Sequence, residues 1–167
     1  MKKASNWLTK HYHHILSGGS VLDLACGRGR HSAFLEKKGF QVTAVDIDTK
    51  AIEAAGLKAT AVIQADLENG VWPFNSDQFD GIVVVNYLYR AHFPKLINAL
   101  KPGGVLIFDT YMVGNEQFGR PANPKFLLKS SELDDAFSDF EVVAFDEGYV
   151  ECPVPAMRQS IVARKRF

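Results

Sequence analysis

The sequence is short of several things, and each shortage narrows what the chain can do. Nineteen basic residues balance nineteen acidic ones, leaving a formal net charge of +0. Without a basic surplus there is no broad attraction to a phosphate backbone, so no nucleic-acid partner is expected. Cysteine is limited to Cys26 and Cys152, which is too few for a disulfide framework. No apolar run is long enough to span a bilayer, and Lys2 and Lys3 lead into a mixed segment rather than the apolar core of a signal peptide. No membrane partner is expected, and the expected location is the cytoplasm. Repeats, low-complexity tracts and linker-like stretches are also missing, so residues 1–167 are expected to fold as a single domain.

What is present centres on Val21-Leu22-Asp23-Leu24-Ala25-Cys26-Gly27-Arg28-Gly29. Apolar residues around one acid run into a Gly-x-Gly turn, and a helical pattern follows near Arg30. That is the signature of a buried strand ending in a loop able to cradle a nucleotide. Gly27 and Gly29 permit positive φ and keep side chains out of a ligand's way, and the helix start aims unpaired N–H groups over the loop. The third glycine of the dinucleotide fingerprint is replaced by Ser32. An ordinary tight strand-to-helix turn is the bland alternative.

Taken in order, residues 5–16 read as a helix capped by Ser5, with Leu8, Tyr12, Ile15 and Leu16 on one face. His11, His13 and His14 match no familiar metal-ligand spacing, so they read as a solvated helix face and no metal is expected. After the glycine loop, Ser32–Lys38 form a short helix with Ala33, Phe34 and Leu35 inward, ended by Gly39. Phe40–Asp48 is an alternating strand. Asp46 closes it where a carboxylate can accept from both hydroxyls of a ribose, and Asp48 caps the helix Thr49–Ala55. Ala61–Asp66 is a third strand, and Phe79–Asn86 is a fourth, whose continuous apolar run implies a central strand buried on both faces.

Leu88–Leu100 reads as a helix, with Phe93, Leu96, Ile97 and Leu100 at helical spacing and Pro94 in its first turn. Lys101-Pro102-Gly103-Gly104 stops it before strand five, Val105–Asp109. Residues 110–128 are irregular, which marks a functional or mobile connection. Ser131-Glu132-Leu133-Asp134 opens a short helix in the manner of a capping box. Phe140–Val150 and Met157–Arg166 then follow with no helix between them, as an antiparallel hairpin does.

Asp23 within the strand, followed by Cys26-Gly27-x-Gly29, resembles motif I of the class I S-adenosylmethionine (SAM)-dependent methyltransferases. Asp66-Leu67, the Pro73-Phe74 and Phe79-Asp80 lead-in to strand four, the Lys101-Pro102-Gly103-Gly104 turn and the terminal hairpin extend the resemblance from about Leu16 to Phe167. Within that family the chain looks most like small bacterial enzymes of the tellurite-resistance type. The resemblance implies a Rossmann-like three-layer α/β/α sandwich whose seven-stranded sheet has the order 3-2-1-4-5-7-6, with strand 7 antiparallel. It implies S-adenosylmethionine as cofactor, S-adenosylhomocysteine as product, and in-line methyl transfer to a small-molecule acceptor. The cofactor-binding residues it implies are Asp23, Ala25, Cys26, Gly27, Gly29, Asp46, Ile47, Asp66, Leu67 and Asn86. Asp66 would accept from the adenine amine while its apolar neighbour packs on the ring.

Asn86-Tyr87-Leu88-Tyr89 lacks the prolines of the Asn-Pro-Pro-Tyr signature carried by methylases of DNA and protein amide nitrogens, which counts against those substrates. No catalytic base stands out. The candidates near the methyl are Tyr87, Arg90, His92 and Tyr111, with Asn86, Asp109 and Thr110 also at strand ends. His92 on the outer part of a helix is otherwise an exposed residue. Arg90 or Arg120 would suit a carboxylate or oxyanion, and Asn115, Gln117, Phe118 and Arg120 would cover the substrate. With so few elements to build a lid, the pocket is expected to be open or completed by a second subunit, so the chain is a monomer or a homodimer. Two rival readings remain. One is a catalytically silent SAM-binding protein acting as a partner subunit. The other is an NAD(P)-dependent oxidoreductase, favoured by Gly27-x-Gly29 and Asp46 but opposed by Ser32 and the hairpin.

Overall fold

The computed structural model describes all residues from Met1 to Phe167. A single seven-stranded sheet has the order β3-β2-β1-β4-β5-β7-β6. Its parallel strands are β1 (Ser20–Leu24), β2 (Gln41–Asp46), β3 (Thr60–Gln64), β4 (Phe79–Val85) and β5 (Leu100–Tyr111). The strands β6 (Glu141–Val150) and β7 (Ala156–Arg164) form the hairpin, and β7 inserts antiparallel against β5, as the resemblance implies.

The two-residue period of the central strands builds a core on each face. Leu22, Leu24, Ile82, Val84, Leu106 and Phe108 point to one side, where α4 (Phe93–Ala99) and α5 (Glu132–Ala136) supply Leu96, Ala99 and Leu133. Val21, Val83, Val85, Val105 and Ile107 point to the other, covered by Leu8 of α1 (Asn6–His11) and Leu35 of α2 (Arg30–Lys37). A smaller cluster joins Ile52 of α3 (Lys50–Ala54) to Cys26 and Ala44. Helices on both faces of a mainly parallel sheet give the three layers expected.

Several local expectations are corrected. The first helix ends at His11 and continues only as a 3₁₀ turn, Tyr12–His14. Leu16 is therefore 67% exposed rather than inward. His11 is buried, with its ring 4.3 Å from that of Trp7, so the histidine run is not a uniformly solvated face. In α2 the inward residues are His31, Ser32 and Leu35, while Ala33 and Phe34 are half-buried. The helix expected from Leu88 starts only at Phe93: Tyr89 is extended and Arg90–His92 form a 3₁₀ turn, because Asn86 leaves β4 with φ 56° and Leu88 drops into the core. At the other end of α4 the chain enters β5 directly, with Leu100 already extended.

Candidate functional site

The carboxyl ends of β1, β2 and β3 carry the glycine turn and the acids flanking it. Ala25 and Gly27 both adopt positive φ (53° and 54°), which for Ala25 stores about 1–2 kcal/mol of strain. The two glycines do different work. A Cβ on Gly27 would meet nothing within 4 Å, so this side of the loop is open for a ligand. A Cβ on Gly29 would lie 2.6 Å from Ile52, so Gly29 lets α3 pack beneath the loop rather than letting a ligand approach.

Asp46 accepts from the Gly27 N–H at 2.8 Å through Oδ2 and from the Asp48 N–H at 3.1 Å through Oδ1. Each oxygen keeps a free lone pair, and these suit a pair of ribose hydroxyls. The N-cap of α3 is Thr49 rather than Asp48, which lies one residue before it and accepts through Oδ1 from Lys50 N–H at 3.1 Å. Ile47 is 63% exposed beside Asp46, leaving its apolar side-chain surface uncovered. Leu67, by contrast, is buried in the core, so its side chain does not offer that surface. Asp66 closes its own turn by accepting from the N–H groups of Asn69 and Glu68. The Asn69 amide is the main reason its carboxyl lies below the usual range.

Asp23 is buried rather than facing the loop's open side. Burial raises its pKa to about 6, opposed by the hydroxyl of Ser32, which donates to Oδ2 at 2.6 Å. This contact explains the departure from the dinucleotide fingerprint: the position of the third glycine is used to satisfy a buried acid. Cys26 is buried too, and burial beside Asp23 and Asp46 pushes its thiol up to about 12, so it is no thiolate nucleophile.

A cavity of about 320 Å³ opens over the ends of β5 and of β4, the strand that pairs with β1. Asn86, Tyr87, Leu88, Thr110 and Tyr111 line it from the strand ends, as the sequence suggests for all but Leu88. Glu68, Pro121 and Phe126 complete it and were not singled out. Glu68 carries a weak signal, lying two positions past Asp66. Pro121 and Phe126 lie in the irregular segment, but nothing in the sequence separates them from their neighbours.

Other candidates are engaged elsewhere. Arg90 forks onto Glu132 through Nε (2.7 Å) and Nη2 (2.9 Å) and donates to the Lys125 and Leu127 carbonyls, so it clamps surrounding loops and is not free for an acceptor. His92 is buried, not exposed: its Nε2 lies 2.9 Å from the Leu67 carbonyl, Nδ1 has no partner, and burial is the chief cause lowering its pKa. Asn115 is also internal, bonded to Pro121 and Met157, and neither it nor Gln117, Phe118 or Arg120 lines the cavity.

Asp109 is engaged through both oxygens. It accepts from Ser5 Oγ and Ser160 Oγ, both at 2.8 Å, and from Arg158 Nε at 2.9 Å. Arg158 reaches on to Asn86 Oδ1 at 2.7 Å and lies over the Tyr111 ring at 4.6 Å. Only the β5–β7 register, which pairs Tyr111 with Arg158, brings that arginine here. His31 is buried with Nε2 unpartnered, and burial drives its pKa down to about 4, assisted by Arg30.

Comparison with known proteins agrees with this geometry. The family described as "Methyltransferase domain" matches residues 21–104. A putative methyltransferase, YqeM of Bacillus subtilis (strain 168), is 34% identical over 107 residues, covering 56% of this chain and 42% of that protein. The probable S-adenosyl-L-methionine-dependent methyltransferase TehB of Haemophilus influenzae (strain ATCC 51907 / DSM 11121 / KW20 / Rd) is 27% identical over 148 residues, covering 82% of this chain and 51% of that protein. The chain thus spans about half the length of these relatives. The crystal structure of TehB from Haemophilus influenzae superposes with a TM-score of 0.77 at 21% identity, over 96% of this chain and 62% of that one. With the glycine turn, the acids at the ends of β1 and β2 and the inserted antiparallel β7 all in place, the chain belongs to the methyltransferase domain family.

Proposed function

We propose that residues 1–167 act as one catalytic domain that binds S-adenosylmethionine and transfers its methyl group to a small-molecule acceptor. The observation that carries this is the juxtaposition of an open glycine turn, braced by Asp46 with lone pairs to spare, and a separate cavity at the ends of β4 and β5. When bound, the cofactor supplies an electrophilic methyl on a positively charged sulfur, so the protein's task is alignment and exclusion of water rather than activation of a leaving group. Asp46 holds the ribose, Ile47 packs against the adenine, and Asp66 stands beside it. Gly27 and Ala25 shape the loop under the amino-acid end, while Asp23, Ser32, Cys26, Gly29 and Leu67 support these contacts from below. Asn86, fixed by Arg158, marks the border with the acceptor cavity, where Tyr87 and Tyr111 form walls.

No helix is long and apolar enough to cross a membrane. We place the protein in the cytoplasm, as a monomer or homodimer. No observation favours the silent partner or the oxidoreductase. Purified protein incubated with methyl-labelled S-adenosylmethionine and a panel of small phenols, amines and thiols is expected to form S-adenosylhomocysteine above the protein-free background. Cofactor binding with no transfer to any acceptor would instead support the silent partner.

A further inference from the structure

The cavity has a polarity that its location alone does not dictate. Among its lining residues Glu68 carries the sole formal charge at neutral pH, and no lysine, arginine or histidine side chain lines it. The nearby cations are committed elsewhere: Arg90 to Glu132 and two carbonyls, Arg158 to Asp109 and Asn86. Lys125 lies over the ring of Phe126, 5.8 Å from its centroid. Glu68 itself forms no ion pair. Its Oε1 accepts from the Tyr87 hydroxyl at 3.3 Å, which leaves most of the carboxylate's hydrogen-bonding capacity unused. Tyr87 is half-buried and stacked on His92 at 6.0 Å, so its hydroxyl is held at the cavity wall.

Resting on the methyl-transfer reading above, we propose that Glu68, with Tyr87 beside it, recognises the acceptor, and that the acceptor is a neutral or cationic molecule presenting an O–H or N–H group next to an apolar ring or chain. Leu88, Pro121 and Phe126 supply the apolar wall for that ring or chain. A carboxylate rewards a donor with a charge-assisted hydrogen bond and repels an anion. It also gives the transferred proton somewhere to go. An acceptor that arrives as an ammonium first yields one proton to Glu68, which frees its lone pair. The acceptor's lone pair forms a bond to the methyl carbon as the methyl–sulfur bond breaks. The bonding pair remains on sulfur, which becomes a neutral thioether, and the proton of a hydroxyl or neutral amine acceptor passes to Glu68, directly or through the Tyr87 hydroxyl. Burial is the leading reason that the Tyr87 hydroxyl resists ionisation, with the Glu68 charge adding to it, so Glu68 rather than Tyr87 is the proton's destination. The charged or titratable groups around Glu68 are Tyr87, His92 and Asp66, and His92 is kept neutral by its burial.

The test uses ligand-observed saturation-transfer NMR on protein loaded with S-adenosylhomocysteine, with three arene probes of similar size: phenol, benzylammonium and benzoate. Calorimetry with S-adenosylhomocysteine is run first on wild type, Glu68→Gln and Tyr87→Phe. All three should bind the thioether within about twofold of one another, because neither side chain touches the glycine loop. Phenol and benzylammonium are expected to bind the loaded wild type about tenfold more tightly than benzoate, the effect of one charge-assisted hydrogen bond. Glu68→Gln should erase most of the preference for benzylammonium over benzoate, and Tyr87→Phe should leave most of it intact. Equal or better binding of benzoate, an unchanged preference in Glu68→Gln, or no binding of any probe to loaded protein would overturn this assignment alone. Failure of wild type to bind S-adenosylhomocysteine would overturn the methyl-transfer reading and this assignment with it.

Discussion

At the carboxyl ends of β1, β2 and β3, polar groups are held by near neighbours in the chain. Asp66 bonds to Asn69 three residues away, Asp23 to Ser32 nine away, and Asp46 to Gly27 nineteen away. Around β4, β5 and β7 the spacing is wider: Arg158 bonds to Asn86 across 72 residues and to Asp109 across 49, and Ser5 reaches Asp109 across 104. The glycine-loop half is thus assembled by local chain geometry, while the cavity half exists only once the sheet has closed. A local loop shaped by its own backbone suits a cofactor common to many proteins. Walls drawn from distant segments are free to differ with the acceptor.

That contrast can be broken first at the two glycines. Gly29→Val puts a branched side chain at φ 80° and against buried Ile52, and should cost about 3 kcal/mol or more of stability in urea titration. Asp109→Ala attacks the distant half. It leaves the Arg158 guanidinium, whose side chain is 16% exposed, without its carboxylate, and should cost about 3 kcal/mol while sparing the geometry of the glycine loop.

A third prediction concerns acid. His31 has a folded pKa of about 4, below its ordinary 6.5, so its neutral form is favoured by folding. The stability it contributes is present above pH 6.5 and is lost as pH falls toward 4, by about 3 kcal/mol. Asp23 works in the opposite direction: raised to about 6 from 3.8, it takes up a proton in the native state first and partly offsets the loss over that window. Urea midpoints measured from pH 7 to 4.5 should therefore fall less steeply in His31→Gln than in wild type. The smallest stability effect is expected for Gly27→Ala. With open space above it, the substitution should cost about 1 kcal/mol for its φ of 54°, yet weaken S-adenosylhomocysteine binding about tenfold by placing a methyl group in the ligand's path.

The same contrast decides what was legible in the sequence. The strands and the position of Asp46 follow from contiguous patterns: an apolar strand, a Gly-x-Gly turn, an acid closing the next strand, a hairpin without a helix; the sheet order is what the family resemblance carried by those patterns implies. Roles that depend on packing between distant elements were not readable. Arg90 reads as a free cation until Glu132 and the 124–127 turn come alongside it, and His92 reads as exposed until Trp72, Tyr87 and Leu67 enclose it. Gly29 illustrates a subtler case, because a glycine chosen for helix packing has the same letter as one chosen for a ligand. Arg158 gave no signal at all, since its place beside Asn86 is set by strand register alone.

The division of labour between the two halves is tested most directly by titration calorimetry of S-adenosylhomocysteine against wild type, Asp46→Ala and Glu68→Gln, with NAD and NADP as controls. Wild type and Glu68→Gln should bind with closely similar affinity, Asp46→Ala should bind at least about tenfold more weakly, and neither nicotinamide cofactor should bind measurably. Undiminished binding in Asp46→Ala, or tight binding of NAD or NADP in place of the thioether, would contradict the assignment of the cofactor to the glycine-loop half.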